Sequence, residues 1–463
     1  GTRQWHRIRQ ADVGYLDCAA DELYYLIRTA AQTLRLLDDT QPARTDLLRA
    51  VNGALQRIDW DQDSFYDSLP GARDFLRQAL ADAKTSTGVT VHTIGHTHID
   101  VAWLWRLKHT REKAQRSFST ALRLMEEFPE YVFLQTQPQL YDYLRQDCPE
   151  LYERIRKRVA DGRWEPEGGM WLEADCNLTS GESLVRQLLY GIRFFQREFG
   201  VTCRYLWLPD VFGYSWALPQ ILRQCGIDTF MTTKISWNQF NTMPNDLFRW
   251  RGIDGSEVLT YFMECPPENK PMGDRFSTYN GVMSPRAALG SWTKFKNKDL
   301  TRHTLIPYGF GDGGGGTTRD MLKTQRAMQC MPGLPDIRPG KAGDFFRQLH
   351  ADAEKAGAAL PVWDGELYLE YHRGTYTTQA ANKKANRQME NLLAETEWIA
   401  SLRWLALGAY PAESLQECWQ TVLRNQFHDI IPGSSIREVY EDSRAEYAAV
   451  EKTLHTLRSK LLG

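Results

Sequence analysis

Apolar side chains recur at intervals of three and four along the first part of the chain. This spacing is sustained between residues 15 and 37, and it places the apolar positions on one face of an α-helix. Two similar stretches, at residues 46–58 and 71–83, follow polar or proline-containing breaks. The pattern predicts a small helical region over residues 1–86, whose expected role is packing and support.

From residue 87 the pattern changes to short apolar, β-branched runs that alternate with helical stretches. The runs predicted as strands are residues 89–94, 131–135, 164–166, 205–208, 230–233, 258–262 and 304–307. Repeated strand–helix units are typical of a mostly parallel sheet, either open or closed into a barrel. We therefore predict an α/β domain over residues 87–350, with a seven-stranded, barrel-like sheet.

Residues 351–463 return to helical spacing after one apolar and aromatic segment. The segment is residues 362–371, and the helical patterns cover residues 378–405, 412–426 and 436–461. They predict a three-helix bundle as the last domain. In mostly parallel folds, reactive residues lie at the carboxyl ends of strands, so the polar residues after each predicted strand are the candidates for chemistry.

The composition is that of an ordinary globular protein. The 463 residues are 42% hydrophobic and 25% charged, and the formal net charge is −2, so neither nucleic acid nor an anionic membrane is an expected partner. No apolar run reaches the length of about 18 residues that a membrane-spanning helix needs. The first ten residues contain no apolar signal-peptide core. The eight cysteines include no Cys-x-x-Cys pair, which favours reduced thiols and a cytoplasmic location.

Three metal-binding side chains follow the first predicted strand. His96, His98 and Asp100 occupy alternate positions, and alternate residues of an extended backbone point to the same side. A single histidine near a strand end is usually an ordinary hydrogen-bonding residue. Three spaced donors would be costly to bury without a partner, and imidazole and carboxylate groups suit Zn²⁺. The pattern favours half of a metal site.

Two acids follow later strands. Asp210 comes directly after the strand at 205–208, where it is either a helix cap or a ligand or nucleophile. Asp312 lies in the glycine run 308–316, which lacks the Gly-Lys-Ser/Thr sequence of a phosphate-binding loop. The run instead predicts a backbone that lies close to a ligand and presents Asp312 as an acid.

The last predicted helices are separated by a break that contains His428 and Asp429, and either residue could face a metal ion. Retaining glycoside hydrolysis needs two carboxyl groups, one as the nucleophile and the other first as an acid and then as a base. Asp210 and Asp312 suit that reaction. The histidine and aspartate ligands of the predicted metal site would then serve to bind hydroxyl groups of the sugar.

Five segments of the chain resemble the glycoside hydrolase family 38 α-mannosidases, in particular the branch of bacterial and of cytosolic or vacuolar enzymes. They are HTHIDVAWLW (96–105), LPDVFGYSWALPQIL (208–222), YGFGDGGGG (308–316), GELYLEYHRGTYTTQA (365–380) and NQFHDIIPGSS (425–435). The family consists of retaining, zinc-dependent exo-α-mannosidases. The resemblance therefore implies hydrolysis of terminal α-linked mannose, with Zn²⁺ as the cofactor and an α-mannoside as the substrate.

The resemblance also implies roles for individual residues. The implied zinc ligands are His98, Asp100, Asp210 and His428. Asp210 would also be the nucleophile, and Asp312 the acid/base, with Asp429, Glu173 and Asp175 as alternative acids. The implied substrate contacts are Trp103, Phe212 and Lys234. His96 would orient a ligand through its other ring nitrogen, and Asp429 would support the site from behind the ligands.

Several alternatives stay open. The His-x-His pair also occurs in amidohydrolases and, as part of HxHxDH, in metallo-β-lactamase-like hydrolases, but residue 101 is valine here. A mannosylglycerate-type hydrolase and an inactive carbohydrate-binding fragment are the other two. Family members of this branch are longer, so β-rich domains after the helical bundle are expected to be absent from this chain, which begins with glycine rather than methionine. Linkage preference and oligomeric state, including a homo-oligomer, are left open.

Overall fold

The computed structural model describes residues 10–61 and 63–463. The chain divides into two compact units. One contains the described residues up to Thr87 together with Lys323–Leu334, and the other contains Gly88–Leu322 and Pro335–Gly463. Residues 1–9 and 62 of the predicted helical region lie outside the described residues.

Three helices form most of the first unit. They are α1 (Cys18–Leu34), α2 (Pro42–Leu55) and α3 (Phe65–Ala83). The Asp17 side chain caps α1 by accepting a 2.7 Å hydrogen bond from the backbone amide of Ala20. The three predicted helices are present, but α3 begins before the predicted residue 71 and contains Pro70.

The second unit contains ten strands among its described residues. In chain order they are β1 (Thr90–His96), β2 (Phe133–Leu134), β3 (Trp164–Glu165), β4 (Tyr205–Trp207), β5 (Thr229–Thr232), β6 (Leu247–Arg251), β7 (Glu257–Phe262), β8 (His303–Tyr308), β9 (Asp336–Pro339) and β10 (Val362–Asp364). They form two five-stranded sheets. One has the order β3-β2-β1-β8, with β9 also paired to β1, and the other has the order β10-β6-β7-β5-β4.

Every strand pair is parallel except β6 with β7, so the predicted mostly parallel α/β arrangement is confirmed. The single seven-stranded, barrel-like sheet is not. β6, β9 and β10 were not predicted as strands. In β6, polar Arg249 and Arg251 alternate with buried apolar residues, a pattern typical of a strand with one solvated face. Its pairing to β7 and β10 extends the second sheet to five strands.

The remaining helices are α4 (Leu107–Glu127), α5 (Pro138–Asp147), α6 (Pro149–Ala160), α7 (Gly181–Phe199), α8 (Leu218–Gln224), α9 (Pro285–Lys294), α10 (Arg319–Gln329), α11 (Ala342–Ala356), α12 (Ala380–Leu407), α13 (Ala412–Asn425) and α14 (Arg437–Leu462). Ser180 caps α7 through a 3.1 Å hydrogen bond from the Ser183 amide, as its position before the predicted helix indicated. Helices α12, α13 and α14 confirm the helical C-terminal region. In the part of the chain that is described, no helix has the length and apolar character needed to cross a membrane.

The core of the second unit positions the candidate residues. Buried apolar side chains of β1, β4, β5, β7 and β8 pack into one cluster, which includes Ile94, Trp207, Met231, Tyr261 and Leu305. The chain leaves this core at the carboxyl ends of β1, β4 and β8. His98 and Asp100 follow the end of β1, Asp210 follows that of β4 and Asp312 that of β8, as expected for a mostly parallel sheet.

Candidate metal centre and active site

Four buried side chains from distant parts of the chain form one cluster: His98, Asp100, Asp210 and His428, whose candidate ligand atoms all lie within 4.8 Å of one another. Asp100 Oδ1 lies 2.9 Å from His98 Nε2 and 3.5 Å from His428 Nε2. Asp210 Oδ2 lies 3.8 Å and 3.6 Å from the same two nitrogens. Two imidazole nitrogens and two carboxylates are a donor set that zinc accepts.

The buried polar atoms of this cluster fit a metal ion. His428 Nε2 is buried and has no aligned hydrogen-bond partner among the described residues, although it faces two carboxylates. Burial alone would lower the pKa of His428, but Asp100 and Asp210 raise it to about 10. The two carboxylates therefore favour a positive charge at this point of the cluster, which a bound cation would supply.

His98 and Asp100 reach the cluster from the end of β1. The backbone amide of Asp100 donates a 3.0 Å hydrogen bond to the carbonyl of Asp312. Ile99, between His98 and Asp100, forms a β-bridge with Gly313, so the segment stays extended and the side chains of His98 and Asp100 point to the same side. His96, one pleat earlier, is not a member of the cluster.

Asp210 reaches the cluster from the end of β4, followed by a sharp bend at Gly213. The φ of Gly213 is +106°, and a Cβ atom there would lie 3.2 Å from the carbonyl oxygen of Leu367. The amide of Tyr214 donates a 2.9 Å hydrogen bond to that same carbonyl. Glycine is therefore required for the close approach that holds the Asp210 loop in place.

His428 is positioned by backbone pairing between two segments far apart in sequence. The amide of Asp175 donates to the carbonyl of Gln426 at 3.0 Å, and the amide of His428 donates to the carbonyl of Glu173 at 3.2 Å. A β-bridge joins Ala174 and Phe427 between these bonds. The break between α13 and α14 is thereby held against the segment that follows β3.

Asp312 occupies a strained position in the glycine-rich loop, with φ of +57°. Its Oδ1 accepts hydrogen bonds from the Tyr279 hydroxyl at 2.9 Å and from the side-chain Nδ2 of Asn280 at 3.2 Å. Burial, together with the carboxylates of Asp100 and Asp210, raises the pKa of Asp312 above its ordinary value. A carboxyl group that retains its proton is suited to act as an acid.

A cavity of about 740 Å³ is lined by side chains of the cluster and by Asp312. Its walls include Asp100, Asp210 and Asp312 together with Trp103, Phe212, Lys234 and Asp429. Lys234 forms an ion pair with Asp210 Oδ1, and its ammonium group lies 5.3 Å from the ring centroid of Phe212 and 4.4 Å from that of Trp237. Burial would raise the pKa of Asp210, but Lys234 and the two imidazoles hold it well below its ordinary value.

The two residues predicted to support the ligands differ in position. Asp429 accepts a hydrogen bond from the Ser434 hydroxyl, and burial and the nearby Asp100 raise its pKa to about 7. His96 packs against Trp207 with ring centroids 5.3 Å apart, and its Nε2 has no hydrogen-bond partner within the described ranges. Burial lowers the pKa of His96 to about 3, so it is a neutral ring beside the cluster.

Sequence reasoning missed several residues of the site. Tyr279 and Asn280 hold Asp312, but they lie in a loop after β7 that carries no recognisable motif. Glu173, considered only as an alternative acid, contacts His98 with Nδ1 and Oε2 3.0 Å apart. Asp175 accepts hydrogen bonds from the amides of residues 177 and 178 and caps a turn instead of lining the cavity.

Comparison with protein families gives two matches along the chain. Residues 88–366 match the model of the glycosyl hydrolases family 38 N-terminal domain, and residues 370–463 match the alpha mannosidase middle domain. The first match covers the two sheets and the loops that carry His98, Asp100, Asp210 and Asp312. The second covers the three C-terminal helices and His428.

Individual relatives agree with the family match. The chain is 43% identical over 370 residues to alpha-mannosidase G of Dictyostelium discoideum, covering 80% of this chain and 32% of that protein. It is 43% identical over 373 residues to human alpha-mannosidase 2C1, covering 80% and 34%. It is 36% identical over 458 residues to an alpha-mannosidase of Saccharomyces cerevisiae, covering 95% and 41%. The chain thus spans about a third to two fifths of the length of these relatives.

A solved structure shares the fold. The crystal structure of an alpha-mannosidase from Enterococcus faecalis V583 superposes with a TM-score of 0.69 at 21% identity, covering 81% of this chain and 42% of that one. At this identity the likeness concerns the fold alone.

Proposed function

The chain belongs to glycosyl hydrolase family 38, and on that premise we propose that it is a retaining exo-α-mannosidase that hydrolyses terminal α-linked mannose from oligosaccharides or mannosides. The observation that carries the proposal is the cavity of about 740 Å³ in which Asp100 and Asp210 of the buried four-residue cluster share the walls with Asp312. Its volume is within the range of about 300–1,000 Å³ found for small-molecule sites.

Zn²⁺ is the proposed cofactor, with His98, Asp100, Asp210 and His428 as the residues that would hold it. The mixed nitrogen and oxygen donors favour zinc over Mg²⁺ or Ca²⁺, which prefer oxygen ligands alone. When bound, the ion would supply Lewis-acid chemistry at oxygen atoms of the sugar.

Asp210 is the proposed nucleophile. Its two oxygens are in different environments, because Oδ2 faces His98 and His428 and Oδ1 pairs with Lys234. The low pKa keeps the carboxylate ionised at neutral pH. Attack of one oxygen on the anomeric carbon forms a mannosyl ester with Asp210 and breaks the glycosidic bond, the first step of hydrolysis with retention.

Asp312 is the proposed acid/base. Its raised pKa lets it hold a proton and deliver it to the glycosidic oxygen as the bond breaks. The same carboxylate then takes a proton from water, which attacks the ester, releases mannose and restores Asp210. Tyr279 and Asn280 hold the acid through Oδ1, and neither of these hydrogen bonds reaches Oδ2.

The remaining predicted roles follow from the cavity walls. Trp103 and Phe212 are proposed to pack against the mannose ring, since aromatic faces suit the apolar faces of sugars. Lys234 and Asp429 are proposed to hydrogen-bond its hydroxyl groups. His96 is retained only as a neutral supporting residue beside His98.

The direct test measures release of nitrophenol from an aryl α-mannoside, with aryl β-mannoside and aryl α-glucoside as controls for the sugar. We expect turnover of the α-mannoside alone, its loss on chelation and its return with added zinc. Asp210→Ala should abolish turnover, whereas Asp254→Asn, in the turn between β6 and β7, should not. Nuclear magnetic resonance of the first product should show the α-anomer, and the β-anomer would contradict a retaining mechanism.

A mannosylglycerate-type substrate is the second candidate, favoured by Lys270 in the cavity wall. An ammonium group there suits a carboxylate on the part of the substrate beyond mannose. Mannosylglycerate should then give a higher kcat/KM than a neutral mannoside, and Lys270→Met should remove the difference. Binding of mannosides without any turnover would instead indicate an inactive carbohydrate-binding chain.

Two further proposals concern organisation. We propose that the second unit is functionally divided near residue 350 into the α/β domain and the helical bundle that contributes His428. A cytoplasmic location is proposed because the cysteines within the described ranges, all eight of the chain, are free thiols. A homo-oligomer stays a prediction for a measurement of solution mass.

A further inference from the structure

One buried residue, Glu173, contacts both imidazoles of the metal cluster. Its side-chain Oε2 lies 3.0 Å from Nδ1 of His98. Its main-chain carbonyl accepts a 2.8 Å hydrogen bond from Nδ1 of His428, in addition to the bond from the backbone amide of His428. The two contacts come from one residue, and each engages the ring nitrogen that faces away from the cluster.

The side-chain contact is isolated from solvent. The side chains of His98 and Glu173 are 0% and 2% exposed. Neither His98 Nδ1 nor Glu173 Oε2 has an aligned hydrogen bond to any described residue, so the short approach between them is an ion-pair contact rather than a well-aligned hydrogen bond. The other carboxylate oxygen of Glu173 accepts from the Thr136 hydroxyl at 3.4 Å, and the Glu173 amide donates to Gln137 Oε1 at 3.3 Å.

An imidazole can bind a metal ion through only one of its nitrogens at a given site, and the partner of the other nitrogen fixes the ring orientation. Here the partner of both Nδ1 atoms is Glu173, and both Nε2 atoms face Asp100 and Asp210. We propose that Glu173 is a positioning residue that sets His98 and His428 as Nε2 ligands. This inference rests on the metal site of the proposed function.

Glu173 is not placed to act on substrate. Glu173 is not among the described residues that line the cavity. It contacts Nδ1 of His98, whereas Asp210 lies on the Nε2 side of the ring. Its carboxylate therefore acts through the ligand, by orienting His98 and by increasing the basicity of its ring. The backbone contact to His428 is independent of the side chain, so a side-chain substitution tests the His98 contact by itself.

The test compares zinc affinity of metal-stripped wild type, Glu173→Gln and Glu165→Gln by competition with a chromophoric chelator. Glu173→Gln removes the charge and keeps the size, and we expect zinc binding weakened by about 10- to 100-fold. Glu165→Gln is the matched control, since it neutralises a buried acid of β3 whose carboxylate accepts hydrogen bonds from the amides of Ala342 and Gly343, and its zinc affinity should equal that of wild type. Equal zinc affinity of wild type and Glu173→Gln would overturn the inference.

A merely structural role is separated by two further readouts. The metal-free form of Glu173→Gln should still unfold in one cooperative transition, as that of wild type does, and excess zinc should return the kcat of Glu173→Gln on an aryl α-mannoside to the wild-type value. A kcat that stays low in the fully zinc-loaded variant contradicts positioning. If Glu173→Gln does not fold, Glu173→Asp takes its place, because the shorter side chain keeps the charge and withdraws it from His98.

The outcomes distinguish this inference from the proposed function. A wild-type chain that binds zinc tightly and hydrolyses no mannoside would overturn the mannosidase proposal and leave the Glu173 comparison valid. An active wild-type enzyme whose zinc affinity is unchanged in Glu173→Gln would overturn only the role of Glu173. A wild-type chain that binds no zinc would overturn both.

Discussion

The ammonium group of Lys234 forms an ion pair with Oδ1 of Asp210 inside the cavity, where the two side chains are only 7% and 9% exposed. The pair restrains one oxygen of the carboxylate, and the other oxygen faces His98 and His428. A cation held this close favours the charged form of the acid. Lys234 is therefore expected both to orient the proposed nucleophile and to balance its charge.

Replacing Lys234 with methionine should lower kcat/KM for an aryl α-mannoside by about 10- to 100-fold, since a hydrogen bond to a charged group contributes about 1.5–3 kcal/mol. Lys234→Arg keeps the charge and should retain more activity than Lys234→Met. The comparison uses steady-state kinetics of zinc-loaded protein. Wild-type kcat/KM in Lys234→Met would show that the ion pair has no part in the reaction.

Asp312→Asn should separate substrates by their leaving group. The variant cannot donate a proton, so hydrolysis of methyl α-mannoside, which has a poor leaving group, should fall by about 10²- to 10⁴-fold. A dinitrophenyl mannoside needs no proton at its leaving oxygen and should lose much less. An equal loss for both substrates would assign the acid to another residue, and Asp429→Asn is then the next variant to measure.

The side chains that follow the strands could be predicted from the sequence, because an apolar run followed by polar residues is a local pattern. The spacing of His98 and Asp100 after a buried run is sufficient to place both on one side of an extended chain. Asp210 follows the same rule at the end of β4. His428 lies in a helical region with no such local rule, and its expected role came from the resemblance of the surrounding segment to a known family.

The residues that hold these side chains in position could not be predicted, because their contacts join segments far apart in sequence. Glu173 reaches His98 and His428 only once the chain after β3 pairs with the break between α13 and α14. His96 shows the converse, since it shares the alternate spacing of His98 and Asp100 but packs against Trp207. Spacing indicates which side chains share a face of a strand, and tertiary packing decides which of them meet.

Gly433 and Gly408 offer a matched pair of variants. Gly433 has φ of +95°, and a Cβ there would lie 2.8 Å from Thr378 Cγ2 and 2.9 Å from its carbonyl oxygen. Gly433→Ala should displace the loop that carries His428 and Asp429, costing about 1–3 kcal/mol of stability and weakening zinc binding. Gly408 has φ of +75° with nothing within 4 Å, so Gly408→Ala should reduce stability and leave zinc affinity unchanged. Zinc titration and urea unfolding measure the two effects, and equal zinc affinities would contradict the role of the loop.

The stability of the fold should depend on pH through Glu167. Burial and the nearby Glu165 raise its pKa to about 8 from an ordinary 4.5. Between these values the folded chain holds a proton that the unfolded chain has released, so the free energy of unfolding falls as pH rises. Glu167→Gln should remove this dependence and stabilise the fold at pH values above 8 by about 2 kcal/mol, since solvent screens part of the penalty of a partly buried group.

Urea unfolding at low and high pH measures this dependence. Wild type and Glu167→Gln should converge in acid, where Glu167 is protonated in both states. Glu354→Gln, on the exposed side of α11, should unfold as wild type does at every pH. A free energy of unfolding that is higher for wild type than for Glu167→Gln at high pH would contradict this prediction, because it would mean that the Glu167 carboxylate stabilises the fold.

The measurement that tests the account most directly is a zinc titration of metal-stripped protein, with hydrolysis of an aryl α-mannoside followed in the same samples. If His98, Asp100, Asp210 and His428 bind one catalytic ion, turnover should rise in proportion to bound zinc and stop rising at one zinc per chain. Full turnover in the metal-free protein, or one zinc bound with no turnover at all, would contradict the account.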